Sequence, residues 1–418
     1  MSNIAATIIT IGDELLIGQT IDTNSAWIAK RLNELGIDVL RRVAVGDTRA
    51  AIVTALDEEK ERADIILITG GLGPTSDDIT KPLLCEYFGG KLKVDEIVLA
   101  HIKNLFSRLN RPIIERNLKQ AEVPDNCKVL SNRMGTAPGM WFEKDGKIFI
   151  SMPGVPYEMV AIMEDEVLPR LSNEFISDAL LHSTVVTAGE GESYIAERLM
   201  GFESELPPHI KLAYLPDSSI VKLRLTGRGK NKLLLAEQLE SLQIKLIEIL
   251  GRIVVANEDI PMENVLGNAL IERGNTIGIA ESCTGGYIGH SVTQVVGASA
   301  YFMGSIVSYS NEMKMNVLGV NKATLDEFGA VSEQTAIEMA KGALNVLNVD
   351  YALATTGVLG PGGATERVNV GTVWMAVTDR DNNIRTREYK FRYDRLKNKE
   401  MAAKMGMLML WKFITGRI

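Results

Sequence analysis

The chain has 418 residues, of which 46% are hydrophobic, so it can bury cores in two or three domains and is not a disordered chain. Its formal net charge of −8 argues against general nucleic-acid affinity, which needs a basic surface. Three cysteines without a CxxC pair, no secretory signal pattern and no apolar run of membrane-spanning length favour a cytoplasmic protein without membrane contact.

Strands and helices alternate over residues 1–168. Apolar strands are expected at 4–11, 38–45 and 64–69, and helices at 25–35 and 49–60. Such near-continuous apolar strands are typical of a parallel sheet covered by helices on both faces. A hairpin with an Asp-Gly turn is expected at 140–152. The pattern predicts a doubly wound α/β domain.

Acidic residues follow the predicted strands at the edge where open parallel sheets bind ligands. Asp13, Asp47 and Asp78 are the candidate ligands of a divalent cation holding a pyrophosphate, with Asp47 and Asp78 also catalytic. Helix capping is the alternative for Asp47, for Asp78 and for its neighbour Asp77, and spacing alone favours capping at Asp47. The groups expected to approach the phosphates are those of Gly12, Gly70, Gly71, Gly73 and Thr75.

Residues 170–258 differ from the segments on either side. Apolar alternation over 221–226 predicts a half-buried strand, and leucines at helical spacing over 235–249 predict a helix. This small α+β module contains no GxxG loop, and its acidic residues outnumber its basic ones. We therefore expect a packing module between two larger domains, and no nucleic-acid partner.

A second α/β domain is predicted over 260–418, where a buried strand, a turn carrying Ser282 and a helix start follow one another. The Ser282 hydroxyl needs a base to become a nucleophile, and His290 lies about 12 Å along the predicted helix. Lys314 has apolar neighbours, and burial would lower the pKa of such an amine so that it could act as this base. Tyr309 is the candidate for relaying the proton. A capping role for Ser282 and a solvated Lys314 are the alternatives.

Two loops near Ser282 have the composition of anion-binding loops. The N–H groups of Cys283 and Thr284 are expected to face an oxyanion, and the Cys283 thiol to behave as a small buried hydrophobe. A glycine-rich loop also follows the strand expected at 351–355. The full set of expected substrate contacts is Cys283, Thr284, Gly285, Gly286, Gly360, Gly362, Gly363 and Thr365. The combination suggests covalent hydrolysis of a phosphorylated substrate.

The C-terminal resemblance is carried by AESCTGG, AYFMGSIVSYSNEMKMNVLGV and TTGVLGPGGATERVNVGTVW, which resemble the CinA C-terminal domain family. The resemblance implies deamidation of nicotinamide mononucleotide to nicotinic acid mononucleotide and ammonia, without a cofactor. It also implies that Ser282 is the nucleophile and that Lys314 and Tyr309 activate it. The family loop usually reads GIAGPGGGT, whereas this chain has Leu359 in place of the alanine, and we expect Leu359 to narrow the pocket.

The N-terminal resemblance is carried by TIGDELLIGQTIDTNSAWIAKRLNELGIDV, ITGGLGPTSDDIT, ERNLKQAEVP, NRMGTAPGMW and MPGVPYEM. These segments resemble the CinA N-terminal domain, which is related to the molybdopterin-binding fold of the MogA and MoaB proteins. The resemblance implies hydrolysis of ADP-ribose to AMP and ribose 5-phosphate with Mg, Mn or Co. Asp47 and Asp78 match the paired acidic positions, and Asn117 and Gln120 match polar positions of the ERN-x-x-QA motif. A homodimer is also implied.

The predicted fold class is therefore α/β, with two doubly wound α/β domains, 1–168 and 260–418, joined by a small α+β module. The predicted function is a hydrolase of two NAD-related nucleotides, nicotinamide mononucleotide and ADP-ribose. A molybdopterin-handling enzyme is one alternative, although it has no use for Ser282. A non-enzymatic partner protein of DNA uptake or repair is the other.

Overall fold

The computed structural model describes residues 4–75, 78–175, 178–217 and 220–418. Contacts divide the chain into two compact units. The first unit consists of Met1–His182, Pro207–Lys211 and Thr226–Glu240, and the second of Ser183–Leu206, Leu212–Leu225 and Ser241–Ile418. The segment predicted as a separate middle module is thus shared between the two units.

The N-terminal part contains a six-stranded mixed sheet with the order β2-β1-β3-β8-β7-β6. Its strands, and the separate antiparallel pair β4-β5, are β1 (Ala5–Ile11), β2 (Asp38–Val45), β3 (Ile65–Thr69), β4 (Leu92–Val94), β5 (Glu122–Pro124), β6 (Lys128–Leu130), β7 (Gly139–Lys144) and β8 (Lys147–Met152). Strands β2, β1, β3 and β8 run parallel, whereas β7 and β6 are antiparallel additions. The predicted hairpin is β7–β8, and its turn residues Asp145 and Gly146 have φ of 53° and 73°.

Helices cover both faces of this sheet. The helices of this part of the chain are α1 (Asp13–Leu16), α2 (Thr23–Glu34), α3 (Arg49–Lys60), α4 (Thr80–Tyr87), α5 (Glu96–Arg108), α6 (Glu115–Leu118), α7 (Pro156–Ile162) and α8 (Leu168–Glu174). Alternate residues of β1 enter different cores: Ala6 and Ile8 join Ile28 of α2, whereas Ile9 joins Ile52 of α3. The strand is mostly apolar because both of its faces are buried, and its two threonines, Thr7 and Thr10, are buried as well.

The middle segment forms a four-stranded sheet with the order β10-β11-β9-β12. Its elements are β9 (Ala179–Ala188), α9 (Glu192–Ser204), β10 (Ile210–Asp217), β11 (Ile220–Gly229), α10 (Lys232–Leu250) and β12 (Val254–Ala256). The predicted strand at 221–226 lies within β11, and the predicted helix at 235–249 lies within α10.

The C-terminal part has a five-stranded sheet with the order β14-β13-β15-β16-β17. Its elements are α11 (Met262–Arg273), β13 (Ile277–Glu281), α12 (Tyr287–Thr293), β14 (Phe302–Val307), α13 (Asn311–Leu318), α14 (Lys322–Phe328), α15 (Glu333–Leu347), β15 (Tyr351–Gly357), β16 (Thr372–Asp379), β17 (Ile384–Lys390) and α16 (Arg395–Ile414). β13 runs parallel to β14 and β15, and β16 and β17 extend the sheet antiparallel. Ile277 and Ile279 pack into the core that includes α11 and α16, while Ala280 packs against α15 on the other face.

The fold class is α/β with helices on both faces of each large sheet, as the sequence predicts. Both large sheets are mixed, because the last two strands at one side of each sheet are added by antiparallel pairing. Among the described residues, no helix combines the length and the apolar character needed to cross a membrane.

The helical glycines of the second unit give a matched test of this packing. A Cβ added at Gly342 of α15 would lie 2.0 Å from the Leu318 carbonyl oxygen, whereas one added at Gly201 of α9 has open space. Alanine favours a helix over glycine by about 0.5–1 kcal/mol. We therefore expect Gly201→Ala to raise the free energy of unfolding by that amount, and Gly342→Ala to lower it by about 1–3 kcal/mol through the clash. Denaturant titrations of both variants measure the two effects, and equal stabilisation by both would contradict the packing of α15 against α13.

Candidate functional site

Three parallel strands of the second unit end at the same edge of their sheet. Glu281, the last residue of β13, pairs in register with Val307 of β14 and Thr355 of β15. Ser282 follows β13 directly, and its backbone N–H donates to the Thr355 carbonyl at 2.9 Å. The carboxyl ends of parallel strands are where α/β sheets bind ligands, so a functional site is expected at this edge.

Ser282 and Lys314 meet at this edge. The Lys314 Nζ donates to the Ser282 Oγ at 3.0 Å and to the Ser308 carbonyl at 2.7 Å. The side chain is only 1% exposed, and burial lowers the pKa of Lys314. Ser310, whose hydroxyl accepts the Met313 N–H, caps α13 and so fixes the helix that carries this lysine. The pair has the geometry of a nucleophile beside its base.

Tyr309 lies at the mouth of the same cavity and not between the two groups. Its side chain is 64% exposed, and its hydroxyl accepts a hydrogen bond from the Arg395 Nη2 at 3.3 Å. In the described part of the chain, no hydrogen bond connects this hydroxyl with Lys314 or Ser282. Arg395 begins α16, some 80 residues away in sequence, and sequence spacing gives no signal for it. Its second bond, at 2.7 Å, goes to the Gly360 carbonyl.

The turn after β13 is organised by a residue that the sequence analysis did not select. Ser282–Gly286 is a turn, and α12 begins only at Tyr287, so the expected helix start after Ser282 is wrong. The fully buried Glu281 carboxylate accepts the N–H groups of Gly286, Ile288 and Gly289 at 2.9–3.1 Å. It also accepts the Ser305 hydroxyl. The Gly286 N–H is therefore occupied, which contradicts its expected role toward a phosphate.

The other residues of this turn divide into structural and cavity-facing groups. Thr284 is fully buried and its hydroxyl bonds that of Thr355 at 2.9 Å, so its side chain braces the turn and does not face a substrate. Cys283 is buried, as expected for a small hydrophobe, and burial raises the pKa of its thiol to about 12 against the lowering effect of nearby backbone N–H groups. Gly285 has φ of 60°, a left-handed conformation that suits glycine.

The second glycine-rich loop closes a cavity of about 300 Å³ beside Ser282. The cavity is lined by Ser282, Cys283, Tyr309, Asn311, Lys314, Ala330, Val331, Thr356, Gly357, Val358, Leu359, Gly362, Gly363 and Arg395. Leu359 contributes to the wall but is 2% exposed and packs into the core. The Thr365 hydroxyl accepts the Arg367 and Val368 N–H groups, so it stabilises its own turn.

Two aspartates meet at the carboxyl edge of the N-terminal sheet. The Asp13 N–H donates to the Asp47 Oδ2 at 2.9 Å, and the Asp47 N–H donates to the Asp13 Oδ1 at 3.2 Å. This reciprocal pair joins the ends of β1 and β2. The preference for Asp47 as a helix cap is wrong, because Thr48 is the residue that caps α3. Gly12 follows β1, and its N–H bonds the Val45 carbonyl of β2.

Asp78 instead holds the glycine-rich loop after β3. It accepts the Gly73 N–H at 2.8 Å, the Thr75 N–H at 2.9 Å and the Thr75 hydroxyl. Helix α4 starts at Thr80 without a side-chain cap, so Asp78 does not cap it, and Asp77 lies outside the described residues.

Backbone conformation and steric contacts explain why glycine occupies three positions of this loop. Gly70 and Gly71 have φ of 117° and 65°, and a Cβ added at Gly71 would lie 2.1 Å from the Thr80 hydroxyl. A Cβ added at Gly73 would meet the Asp78 carboxylate at 2.5 Å. The loop therefore requires glycine at these positions for its own shape, whatever it binds.

The predicted metal ligands are only partly brought together. Within the ranges that the structure describes, no three Asp, Glu, His or Cys side chains form a group that could hold a metal ion. The Asp13–Asp47 pair fits the other common arrangement, in which one or two carboxylates hold Mg²⁺ together with substrate phosphates.

A basic residue that sequence reasoning missed lies beside the ERN-x-x-QA segment. The Lys81 Nζ donates to the Gln120 carbonyl at 3.2 Å, and burial lowers the pKa of Lys81 to about 8 although the charges of Glu122 and Asp78 oppose the shift. Gln120 is 3% exposed, and Asn117 accepts the Ile114 N–H within its own turn. A lysine following a GxxxTxxD-type loop is the signal that could have identified Lys81.

Comparison with known protein families finds three matches along the chain. Residues 7–173 match the family described as "Probable molybdopterin binding domain", 182–256 the "Damage-inducible protein CinA KH domain", and 259–414 the "CinA C-terminal domain". The similarity to a KH domain was not predicted from the sequence, because the segment lacks a GxxG loop and its acidic residues outnumber its basic ones. These matches define an α/β protein with a molybdopterin-binding-type domain at one end.

The similarity to full-length relatives is extensive. A CinA-like protein of Flavobacterium psychrophilum is 44% identical over 412 residues, covering 98% of each chain. A CinA-like protein of Cytophaga hutchinsonii is 42% identical over 92% of this chain and 95% of its own, and one of Salinibacter ruber is 41% identical over 96% and 97%. The chain belongs to the CinA family.

Proposed function

We propose that the second unit hydrolyses the carboxamide of nicotinamide mononucleotide, giving nicotinic acid mononucleotide and ammonia. The observation that carries the proposal is the 3.0 Å contact between the Lys314 Nζ and the Ser282 Oγ in a buried setting. An amine whose pKa burial lowers can accept a proton from a serine hydroxyl, and a serine so activated attacks carbonyl carbons. The family resemblance supplies the substrate class.

In the proposed reaction, Lys314 transfers the protons and the Ser282 Oγ carries the acyl group. Neutral Lys314 takes the hydroxyl proton while the Ser282 Oγ bonds to the carboxamide carbon. The carbon–nitrogen bond then breaks, and the leaving ammonia takes its third proton from the Lys314 ammonium. Water attacks the resulting ester, Lys314 accepts a proton from this water, and the proton returns to Oγ as the acid leaves. The N–H groups beside Cys283 are the proposed donors to the oxyanion.

The substrate phosphate needs a positive charge that the turn does not supply, because Glu281 occupies the N–H groups at the start of α12. Arg395 lines the cavity and is held toward it by the Gly360 carbonyl and the Tyr309 hydroxyl. A guanidinium binds phosphate through paired hydrogen bonds. We assign phosphate binding to Arg395, with Tyr309 orienting its guanidinium.

Removal of the nucleophile gives the direct test. We expect Ser282→Ala and Lys314→Met each to lower kcat for nicotinamide mononucleotide by about 10³-fold or more, because each removes a partner of one proton transfer. Ammonia release measures the effect. Ser291→Ala, which alters another nearly buried serine of this unit, is the matched control and should leave turnover unchanged. Full turnover by Ser282→Ala would remove the hydroxyl from the reaction.

The pH dependence gives an independent test of the base. Burial lowers the pKa of Lys314, and only its neutral form accepts a proton, so kcat/KM should rise with pH and level off below the range of an ordinary lysine. Profiles between about pH 6 and pH 10 would show this rise. Lys314→Arg should be inactive throughout, because a guanidinium stays charged. A profile that rises only in the pH range of an ordinary exposed lysine would contradict a lowered pKa of Lys314.

We also propose that the N-terminal sheet edge hydrolyses ADP-ribose to AMP and ribose 5-phosphate with a divalent metal. The reciprocal Asp13–Asp47 pair favours this second activity, because two carboxylates at the edge suit a cation shared with substrate phosphates. The metal would supply charge neutralisation at the pyrophosphate. The chain's own contributions are the shaped loop of Gly70–Thr75 and the Lys81 ammonium, which adds positive charge close to Asp78.

The two activities should respond differently to chelation. We expect a chelator to stop AMP formation from ADP-ribose and to leave ammonia release intact. Only the reaction proposed at the edge with Asp13 and Asp47 uses a metal. Asp47→Asn should lower AMP formation by about 10²-fold or more. Asp145→Asn, at a left-handed turn position that asparagine tolerates, is the isosteric control. Undiminished ADP-ribose turnover in Asp47→Asn would contradict the assignment.

A further inference from the structure

A second cavity in the same unit shares no lining residue with the cavity at Ser282. It has a volume of about 520 Å³, within the range typical of small-molecule sites, and lies among the loop before α9, strand β17 and helix α16. Neither proposed reaction uses it. Its walls combine a cluster of cations with an apolar floor.

The cations come from two elements. Arg385 and Arg387 alternate along β17 and so lie on one face of the strand, and Lys412 comes from α16. Gly189 lies opposite, where an added Cβ would be 3.3 Å from the Lys412 Nζ. The Arg387 guanidinium sits over the Tyr389 ring at 5.1 Å, which restricts its position.

These cations are not neutralised by the protein. Among the described residues, no carboxylate lies within ion-pair distance of Arg385, Arg387 or Lys412. The acidic side chain on the wall, that of Glu190, is already paired with Arg198 at 3.0 Å. Burial lowers the pKa of Lys412, and the charges of Arg387 and Arg417 lower it further. Like charges held together in a partly buried cavity are unfavourable unless an anion binds there.

The remaining walls suit a ligand that is only partly charged. Met405, Leu408 and Met409 of α16 form a buried apolar floor. Helix α9 begins beside the cavity, and its N-cap, Gly191, provides no side-chain hydrogen bond to the first N–H groups. A phosphate near these N–H groups and the cations would leave an apolar ring or chain to lie on the methionines.

The geometry points to a binding site for a phosphorylated small molecule with an apolar ring, of mononucleotide size, formed by Arg385, Arg387 and Lys412 over the floor of α16. A nucleic acid fits less well, because the loop carries the carboxylates Glu190 and Glu192 and the chain has a net charge of −8.

The test must locate the ligand, because other sites on the chain also bind nucleotides in the proposed functions. Hydrogen exchange of the full-length chain, followed by mass spectrometry, reports each peptide separately. AMP is the probe, and adenosine is its uncharged counterpart. Arg387→Glu removes a site cation, while Lys390→Glu makes the same charge reversal on the opposite face of β17.

We expect AMP, and not adenosine, to slow exchange in peptides covering Gly189–Glu192 and β17. Arg387→Glu should raise the AMP concentration for half-maximal protection by about tenfold or more, and Lys390→Glu should leave it unchanged. Protection in peptides of the other two sites should be the same in both variants.

Three results would overturn the site. These are no protection of the two peptides by AMP, equal protection in Arg387→Glu and Lys390→Glu, and equal protection by adenosine. Protection by a single-stranded oligonucleotide at concentrations where AMP has no effect would show that the ligand is a nucleic acid and not a small molecule. Proper folding of Arg387→Glu is checked by unchanged exchange in the peptides of the N-terminal sheet and of α15.

Discussion

The contact between the Lys314 amine and the Ser282 hydroxyl is the interaction on which the proposed chemistry of the second unit depends. A fully charged ammonium at 1% exposure would be costly, because the described residues place no carboxylate beside it, so burial itself drives the amine toward its neutral form. The Ser308 carbonyl and the capped start of α13 fix where the amine points. The base is thus generated by packing and not by a neighbouring acid, and any change that admits water to this pocket would restore the charge.

The position of Ser282 depends in turn on a buried negative charge. Glu281 accepts three backbone N–H groups at the start of α12 and the Ser305 hydroxyl, and it thereby fixes the turn that carries the nucleophile. A carboxylate there has the same effect as a bound anion, so the helix start is closed to a substrate phosphate. In the proposed reaction, the positive charge for the phosphate then has to come from elsewhere, and the Arg395 guanidinium lies at the cavity wall.

Local sequence patterns predict the strands and the Asp145–Gly146 hairpin turn, because short-range periodicity and turn residues determine them. The pairing of Ser282 with Lys314 is implied by the family resemblance, because on local patterns alone a capping serine and a solvated lysine remain alternatives. Local patterns do not predict Arg395, which joins the site through α16 from a distant part of the chain. Glu281 was missed because a polar residue at a strand end looks solvent-exposed until its donors are known. Asp47 and Thr48 are adjacent candidates for one cap, and only the pairing of Asp13 with Asp47 decides between them.

The two proposed sites bind anions by different means, although the chain as a whole is acidic. At the N-terminal edge, paired carboxylates would repel a pyrophosphate directly, so recognition there requires a cation between them. At the Ser282 edge, the proposed contact with the phosphate is made by the Arg395 guanidinium without an intervening ion. Each solution is local, and the net charge of −8 therefore limits long-range attraction of polyanions without preventing tight binding of small ones. If the proposed functions hold, this arrangement favours mononucleotides over nucleic acid, because a polymer would bring its remaining phosphates against the acidic surface.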